Sequence, residues 1–307
     1  MARILSRARP WSPSPDEAVR RASGGAVRVL SQDDTPALSA LVAQDPVANC
    51  FVQSTLEKGR HAGPIRAGGS LFLGIFGPDR ATDAPVLEAA CWVGANVVPV
   101  AADAEAGRLF GLALTALRRR FASVYGPREA VLALWSELSR GAQRARQVRD
   151  DQPLMVLDGP PAVEPSPRVR PAVPEEFSAV LPACVAMFEE ELGFSPLQNG
   201  AAQYRLRVEE LIRNRWSLVD CDDAGRVRFK ADLGVVSSDC TQIQGVWVDP
   251  SERGQGLAAP SVAAVVQYAQ SIAPHVSLYV NRYNTAALRT YRTVGFDQVG
   301  TFATVLL

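Results

Sequence analysis

Gln244-Gly-Val-Trp-Val-Asp-Pro-Ser-Glu-Arg-Gly-Gln-Gly-Leu-Ala-Ala-Pro260 is the stretch on which the reading of this chain turns. A β-branched run leads into Asp249-Pro250, then into a loop holding Gly254 and Gly256, then into a helix-forming segment. Glycine adopts backbone angles that other residues resist, and lets a ligand come close to the main chain. The first turn of the next helix offers N–H groups without intrahelical partners at the positive end of its dipole, a place for phosphate oxygens. Arg253 adds a positive charge, and Pro260 stands near the helix start, where a missing N–H matters little. Two other phosphate loops do not fit. A Walker loop requires Gly-Lys-Ser/Thr, and the stretch has no lysine; a dinucleotide fingerprint requires three glycines at fixed spacing, and only Gly254 and Gly256 are present.

Outward from this loop, hydrophobic periodicity predicts strands over 242–248, 276–280 and 301–307, with helices over 257–271 and 286–294. Upstream it predicts a strand over 169–173, a helix from Pro174 to Ala186, a loop over 188–196, a helix over 203–213, and strands over 216–220 and 227–236. The first half shows a similar order. Strands are predicted over 27–30, 71–76, 86–93, 97–100 and 154–157, with helices over 36–43, 104–121 and 128–139. Asp33 or Asp34 caps the first of these helices and Asp103 the second. Between the halves, residues 159–168 are proline-rich, which favours an extended spacer. The expected organisation is a leader over 1–26, one domain over 27–158, the linker over 159–168, and a second domain over 169–307. The halves rhyme in element order, so an old duplication is expected. The fold class is mixed α/β (α+β mixed sheet), each half a twisted, mostly antiparallel sheet flanked by helices.

The 307 residues carry 32 Lys and Arg against 32 Asp and Glu, so no net charge draws the chain to nucleic acid or anionic membrane. No apolar run reaches the ~20 residues of a membrane span. The Arg-, Ser- and Pro-bearing start lacks a secretory core; it reads as a mobile leader or as a mimic of a transit peptide. The five cysteines are scattered without a Cys-x-x-Cys pair, and there are only two histidines, which argues against a zinc site or a disulfide scaffold. No metal is expected, and a reducing, cytoplasmic setting is. His275 reads as a surface residue, and the arginines at 140, 144, 146 and 149 as a solvated face.

The quoted loop resembles motif A of the GNAT acetyltransferase superfamily, Arg/Gln-x-x-Gly-x-Gly/Ala, with Arg253, Gly256 and Ala258 in its three places. A second signature follows: strand Leu278-Tyr-Val, then Asn284, Ala287, Tyr291 and Gly295-Phe296 in the family's order and spacing. The resemblance spans the second half, and that half with its companion is similar to tandem members of actinobacterial type. It implies acetyl-CoA as acyl donor. Its pyrophosphate would lie on the main chain of Arg253, Gly254, Gln255, Gly256, Leu257 and Ala258, and its pantetheine arm along Val246, Trp247 and Val248. Asn284 is implied as a further cofactor contact; by its position alone it is also a helix N-cap.

The implied reaction is direct attack of an amine, from a protein or a small molecule, on the thioester. Tyr291 is the family-matched acid for the leaving thiolate. The residues do not mark a base. Glu191 is the candidate, with Glu189 and Glu190 as candidate acceptor-binding groups beside it, and Asp249 and Glu252 as weaker ones. In the first half the loop after 97–100 reads Ala101-Ala-Asp-Ala-Glu-Ala-Gly-Arg-Leu-Phe-Gly111, without the motif and with two acids that repel pyrophosphate. That half is expected to be degenerate. Alternatives are a mycothiol synthase-like small-molecule acetyltransferase and a non-catalytic acyl-CoA-binding sensor. A monomer and a homodimer are both compatible with the sequence.

Overall fold

Strand β9 shows how the sequence sorts itself. Its buried Phe229, Ala231 and Leu233 enter one apolar cluster, while Lys230 and Asp232 point to the other face of the strand. A computed structural model describes residues 14–64, 69–78, 85–198 and 200–307. In chain order its elements are α1 (Pro15–Ala22), β1 (Val27–Val29), α2 (Thr35–Val42), α3 (Cys50–Gly59), β2 (Leu71–Pro78), β3 (Pro85–Val93), β4 (Asn96–Val100), α4 (Ala104–Ala116), β5 (Ser123–Pro127), α5 (Arg128–Leu138) and β6 (Gln147–Leu157). The second half has β7 (Arg170–Pro171), α6 (Phe177–Leu192), α7 (Ala201–Arg213), β8 (Ser217–Cys221), β9 (Val227–Val236), β10 (Cys240–Val248), α8 (Ala258–Gln270), β11 (His275–Tyr279), α9 (Thr285–Val294) and β12 (Asp297–Leu306).

The chain is mixed α/β, as its sequence implies, and the rhyme between its halves is a repeat of topology. Each half runs strand, two helices, three strands, helix, strand, helix, strand. Successive strands β1 to β4 pair antiparallel and β4 pairs β5 in parallel. In the second half β7 to β10 likewise pair antiparallel and β10 pairs β11 in parallel.

The compact units do not follow the midpoint of the sequence. One contains residues 1–41, 59–150 and 303–307; the other contains 42–58 and 151–302. In the first, Ala303 and Val305 are fully buried beside Val27, Leu73, Val93 and Phe110, and the Leu307 N–H donates to the Ala122 carbonyl at 3.0 Å. In the second, β6 pairs antiparallel with β11 from Leu154 to Leu157, and Cys50 of α3 donates to the Cys240 carbonyl at 3.1 Å. Each half therefore gives its final strand, wholly or in part, to the unit built mainly from the other.

Some elements depart from expectation. The segment over 1–13 lies outside the described residues, but Pro15–Ala22 is helical where a leader is expected. Ser14 caps it, acids fill its first turn and arginines its last, with Arg20 on Asp16 at 2.7 Å. Helix α3 stands where the sequence reading assigns no element, and carries no acid in its first turn. Helix α4 ends at Ala116 rather than 121, which frees 123–127 to form β5. Helix α6 runs through Glu189–Glu191 to Leu192, where a loop is expected, because glutamate favours helix and Gly193 supplies the left-handed cap. Residues 158–169 contain neither helix nor strand.

Val305→Ala is expected to destabilise the first unit by roughly 2 kcal/mol, from lost burial plus a residual cavity. Thermal unfolding should show a lower Tm, with the early loss in the unit that contains 59–150.

Candidate active site

Strand β10 pairs in parallel with β11 only from Cys240 to Gln242, matching His275 to Ser277. Beyond Gln242 the two strands part. On its other side β10 stays paired with β9 as far as Val248, but with a bulge between Gln244 and Trp247. The backbone of 243–248 thus keeps one edge without a strand partner, at the place where Val246, Trp247 and Val248 were expected to meet a ligand. Such an edge holds free N–H and C=O groups that an extended molecule can pair with.

The parted edge runs into the loop. Gly254 and Gly256 have φ of 77° and 81°, in the region that favours glycine. Helix α8 begins at Ala258, and no side chain caps it. From Gly254 to Ala258 no backbone N–H has an acceptor among the described residues. Arg253, Gly254, Gln255 and Gly256 are exposed. The Arg253 side chain turns back: its Nε donates to the Val248 carbonyl at 3.0 Å and its Nη2 to both oxygens of Glu190, at 2.9 and 2.7 Å. The Trp247 Nε1 donates to the same Glu190 at 3.1 Å. Glu190, expected at the acceptor, is therefore engaged as a fastener between α6, β10 and the loop. Arg228 on Glu252 at 3.0 Å makes a second tie. Asp249 accepts from the Ser251 N–H and hydroxyl at 2.9 and 2.6 Å, and that hydroxyl helps hold its carboxyl below the usual range. Both weaker candidates thus have local structural partners.

Asn284 caps α9, accepting from the Ala287 N–H at 3.1 Å, and is otherwise exposed. Tyr291, on the next turns of that helix, is buried and lies edge-on to Phe296 at 5.9 Å. Burial pushes its phenol above the ordinary value, and the negative charge of Glu191 adds to the shift. Tyr291 and Glu191 therefore share one electrostatic neighbourhood, although they stand 100 positions apart in sequence. Glu189 is exposed on α6. His275 is not free: its Nδ1 lies 2.7 Å from Asp158.

One group of residues escaped the sequence reading. Lys230 is fully buried and its Nζ meets Asp232 Oδ2 at 2.5 Å. Asp232 also accepts from the Ser217 hydroxyl at 2.8 Å, and Tyr204 donates to the Cys184 carbonyl at 2.8 Å close by. Burial pulls the Lys230 ammonium down, but the Asp232 carboxylate outweighs it, so the lysine stays charged. The available signal was Phe229-Lys-Ala-Asp-Leu233: two charges two residues apart share one face of a strand otherwise built for burial.

In the first half, β4 meets β3 without a bulge and carries Pro99 in its course. Its parallel ladder with β5 covers only Asn96 and Val97 against Ser123 and Val124, and a Cβ on Gly126 of β5 would stand 3.4 Å from Pro99. Asp103 caps α4, accepting from the Ala106 N–H at 2.8 Å. Gly111, part of the loop's residual likeness to the motif, serves helix packing instead: a Cβ there would meet the Leu134 carbonyl of α5 at 2.7 Å.

A mixed α/β domain whose sheet parts beside a glycine loop and a bare helix N-terminus is the class this geometry defines. Residues 195–296 match the Acetyltransferase (GNAT) family, and residues 75–180 match a domain of unknown function, DUF4081. The second half of the chain therefore carries a GNAT acetyltransferase domain. Among solved structures, a GCN5-related N-acetyltransferase from Sphaerobacter thermophilus is 20% identical, with a TM-score of 0.57 over 91% of this chain and 94% of that one. A GNAT-family acetyltransferase from Colwellia psychrerythraea is 11% identical, with a TM-score of 0.53 over 92% and 99%. A GCN5-related N-acetyltransferase from Kribbella flavida is 19% identical, with a TM-score of 0.50 over 85% and 95%. At these identities the likeness is one of fold. No curated protein matches. Among the described residues no helix is long and apolar enough to cross a membrane.

Removing one partner of the buried pair leaves a bare charge, so Lys230→Met should lower stability by about 3–5 kcal/mol. Lys230→Met/Asp232→Asn should recover most of that loss, as read by urea unfolding.

Proposed function

We propose that residues 169–307 transfer an acetyl group from acetyl-CoA to an amine, and that 27–158 form a degenerate companion joined through the linker at 159–168. The carrying observation is the edge of β10 left unpaired after Gln242, which leads through the short 3-10 turn Pro250–Glu252 and the glycine loop to the uncapped start of α8. The pantetheine arm pairs with Val246, Trp247 and Val248. The pyrophosphate takes the main-chain N–H groups of Arg253, Gly254, Gln255, Gly256, Leu257 and Ala258, with Asn284 as a further contact. Arg253 contributes by holding the loop against Glu190 rather than by reaching for phosphate.

The amine nitrogen forms a bond to the acetyl carbon while the carbon–sulfur bond breaks. The products are the acetylated amine and coenzyme A. A main-chain N–H near Val248 polarises the thioester carbonyl. Glu191 takes the proton that the amine loses. Tyr291 supplies one to the departing sulfur, and burial suits it to do so by keeping its phenol protonated. Glu189, on the same helix turn, faces solvent and is placed to meet the acceptor's ammonium on its approach.

The first half lacks the motif, and Asp103 occupies the N-terminus of α4, which supports a single donor site. Calorimetry should give one acetyl-CoA per chain, and two would remove the degenerate assignment. Tyr291→Phe should lower turnover roughly 10²- to 10⁴-fold with acetyl-CoA affinity kept; unchanged turnover would remove the acid. A raised phenol pKa means that Tyr291 stays protonated below its ordinary value of 10.0, so its ionisation should cut the rate only above that pH. A rate profile measured with wild-type protein and Tyr291→Phe checks this.

A further inference from the structure

Past the end of β11 the chain runs on beside β6. The Val280 N–H donates to the Pro153 carbonyl at 3.2 Å, and the Arg282 N–H to the Asp151 carbonyl at 3.0 Å. Ser277 and Gln242 are level in the sheet. Arg282 is five residues beyond Ser277, and Val248 is six beyond Gln242, one of them taken up by the bulge. The two chain segments therefore reach the same edge of the sheet. The helices that follow them, α8 and α9, start at that edge and share one apolar cluster. Packed helices lie roughly 8–10 Å apart, so the turn over 281–284 faces the glycine loop across about one helix diameter.

That turn is tied down on both sides. Gln152, itself buried, donates to Asn281 Oδ1 at 3.0 Å, and Arg282 Nε donates to Asp151 Oδ2 at 3.0 Å. The Asn284 N–H donates to the Asn281 carbonyl at 2.8 Å, the Thr285 N–H donates to the Tyr283 carbonyl at 2.9 Å, and Asn284 caps α9. Between these ties stands Tyr283, 69% exposed, more than any other large apolar side chain described. A scattered surface hydrophobe is ordinary and needs no explanation. Tyr283 differs because its backbone is fixed and its ring stands at the rim of the candidate site. An aromatic side chain has only two torsions to immobilise, so covering its face costs little conformational entropy.

The proposed donor has one part without a partner. Its acetyl and pantetheine portions follow β10, and its pyrophosphate takes the start of α8; the adenosine comes after. On the β9 side the loop is flanked by the Arg253–Glu190 and Arg228–Glu252 ties, and on its other side by α9. A ribose and purine extending toward α9 come to the turn that carries Tyr283. Nucleobases stack on exposed aromatic rings, because every base has a π-face. We infer that Tyr283 stacks on the purine ring of the acyl donor. The chain thereby selects a free coenzyme A thioester over the same thioester on a carrier protein's phosphopantetheine arm, which has no adenosine. This rests on the acetyl-transfer reading and adds to it the kind of donor used.

Calorimetry on the full chain tests this with three donors: acetyl-CoA, its 3′-dephospho form and acetyl-phosphopantetheine. Tyr283→Ala should weaken the first two by roughly 5- to 100-fold, as for loss of one base–aromatic stack, and leave the third unchanged. Tyr283→Phe keeps the ring and should bind all three as the wild type does. An exposed position makes both substitutions nearly neutral for folding, which an unchanged Tm checks. An equal loss with all three donors, no loss with any, or a phenylalanine variant as weak as the alanine one would overturn the inference. Failure of the acetyl-transfer reading looks different. Wild-type protein that binds none of the donors removes that reading and the stack together. Binding that is sensitive to Tyr283→Ala but releases no thiol with any amine removes the reaction and keeps the stack.

Discussion

The parting of β10 from β11 after Gln242 is the constraint on which the candidate site depends. Parallel strands that stay paired leave no backbone for a ligand. Here the pairing ends after Ser277, β11 continues beside β6, and β10 continues beside β9 alone. The bulge before Trp247 turns the strand as it leaves. That turn carries Trp247 to the α6 and α7 side, where Glu190 gathers both its indole N–H and the Arg253 guanidinium. The loop is therefore fixed from behind, by side chains, while its main-chain donors face outward. On the proposed reading, phosphate would meet these main-chain donors with no cationic side chain aimed at it.

The first half repeats the strands, helices and pairing senses of the second, and its parallel ladder is also short, ending at Val97. The local chemistry differs: β4 has no bulge against β3 and carries Pro99, and Asp103 caps the start of α4, where α8 has no side-chain cap.

Much of this was legible in the sequence, and the reasons for the remainder are physical. Strands such as β9 and β3 announce themselves through their apolar runs, and α9 through Asn284 and its apolar face. Motif A with Asn284, Tyr291 and Gly295-Phe296 located the loop and the helix that matter. Helix α3 was missed because it has no acidic first turn to mark its start, although Cys50 packs with Val235 and Cys240. The three glutamates looked equivalent in sequence. On a helix, successive residues are turned about 100° apart, so Glu190 ties the loop, Glu191 shares the field of Tyr291 and Glu189 faces solvent. The Lys230–Asp232 pair was visible as two charges in a core strand, but that the two meet each other with Ser217 of β8 is a feature of the fold rather than of composition.

The traded final strands give the molecule a fixed order of assembly. A ribosome delivers the chain from its beginning, and domains ordinarily fold as they emerge. Here the first unit waits for residues 303–307, so most of its core exists as synthesised chain long before Ala303 and Val305 arrive to complete it. The second unit has its borrowed strand and helix in hand early, and closes as soon as its own sheet is made. Gene fission at the linker would therefore separate two incomplete proteins rather than two domains, which binds one half to the other for as long as the exchange persists.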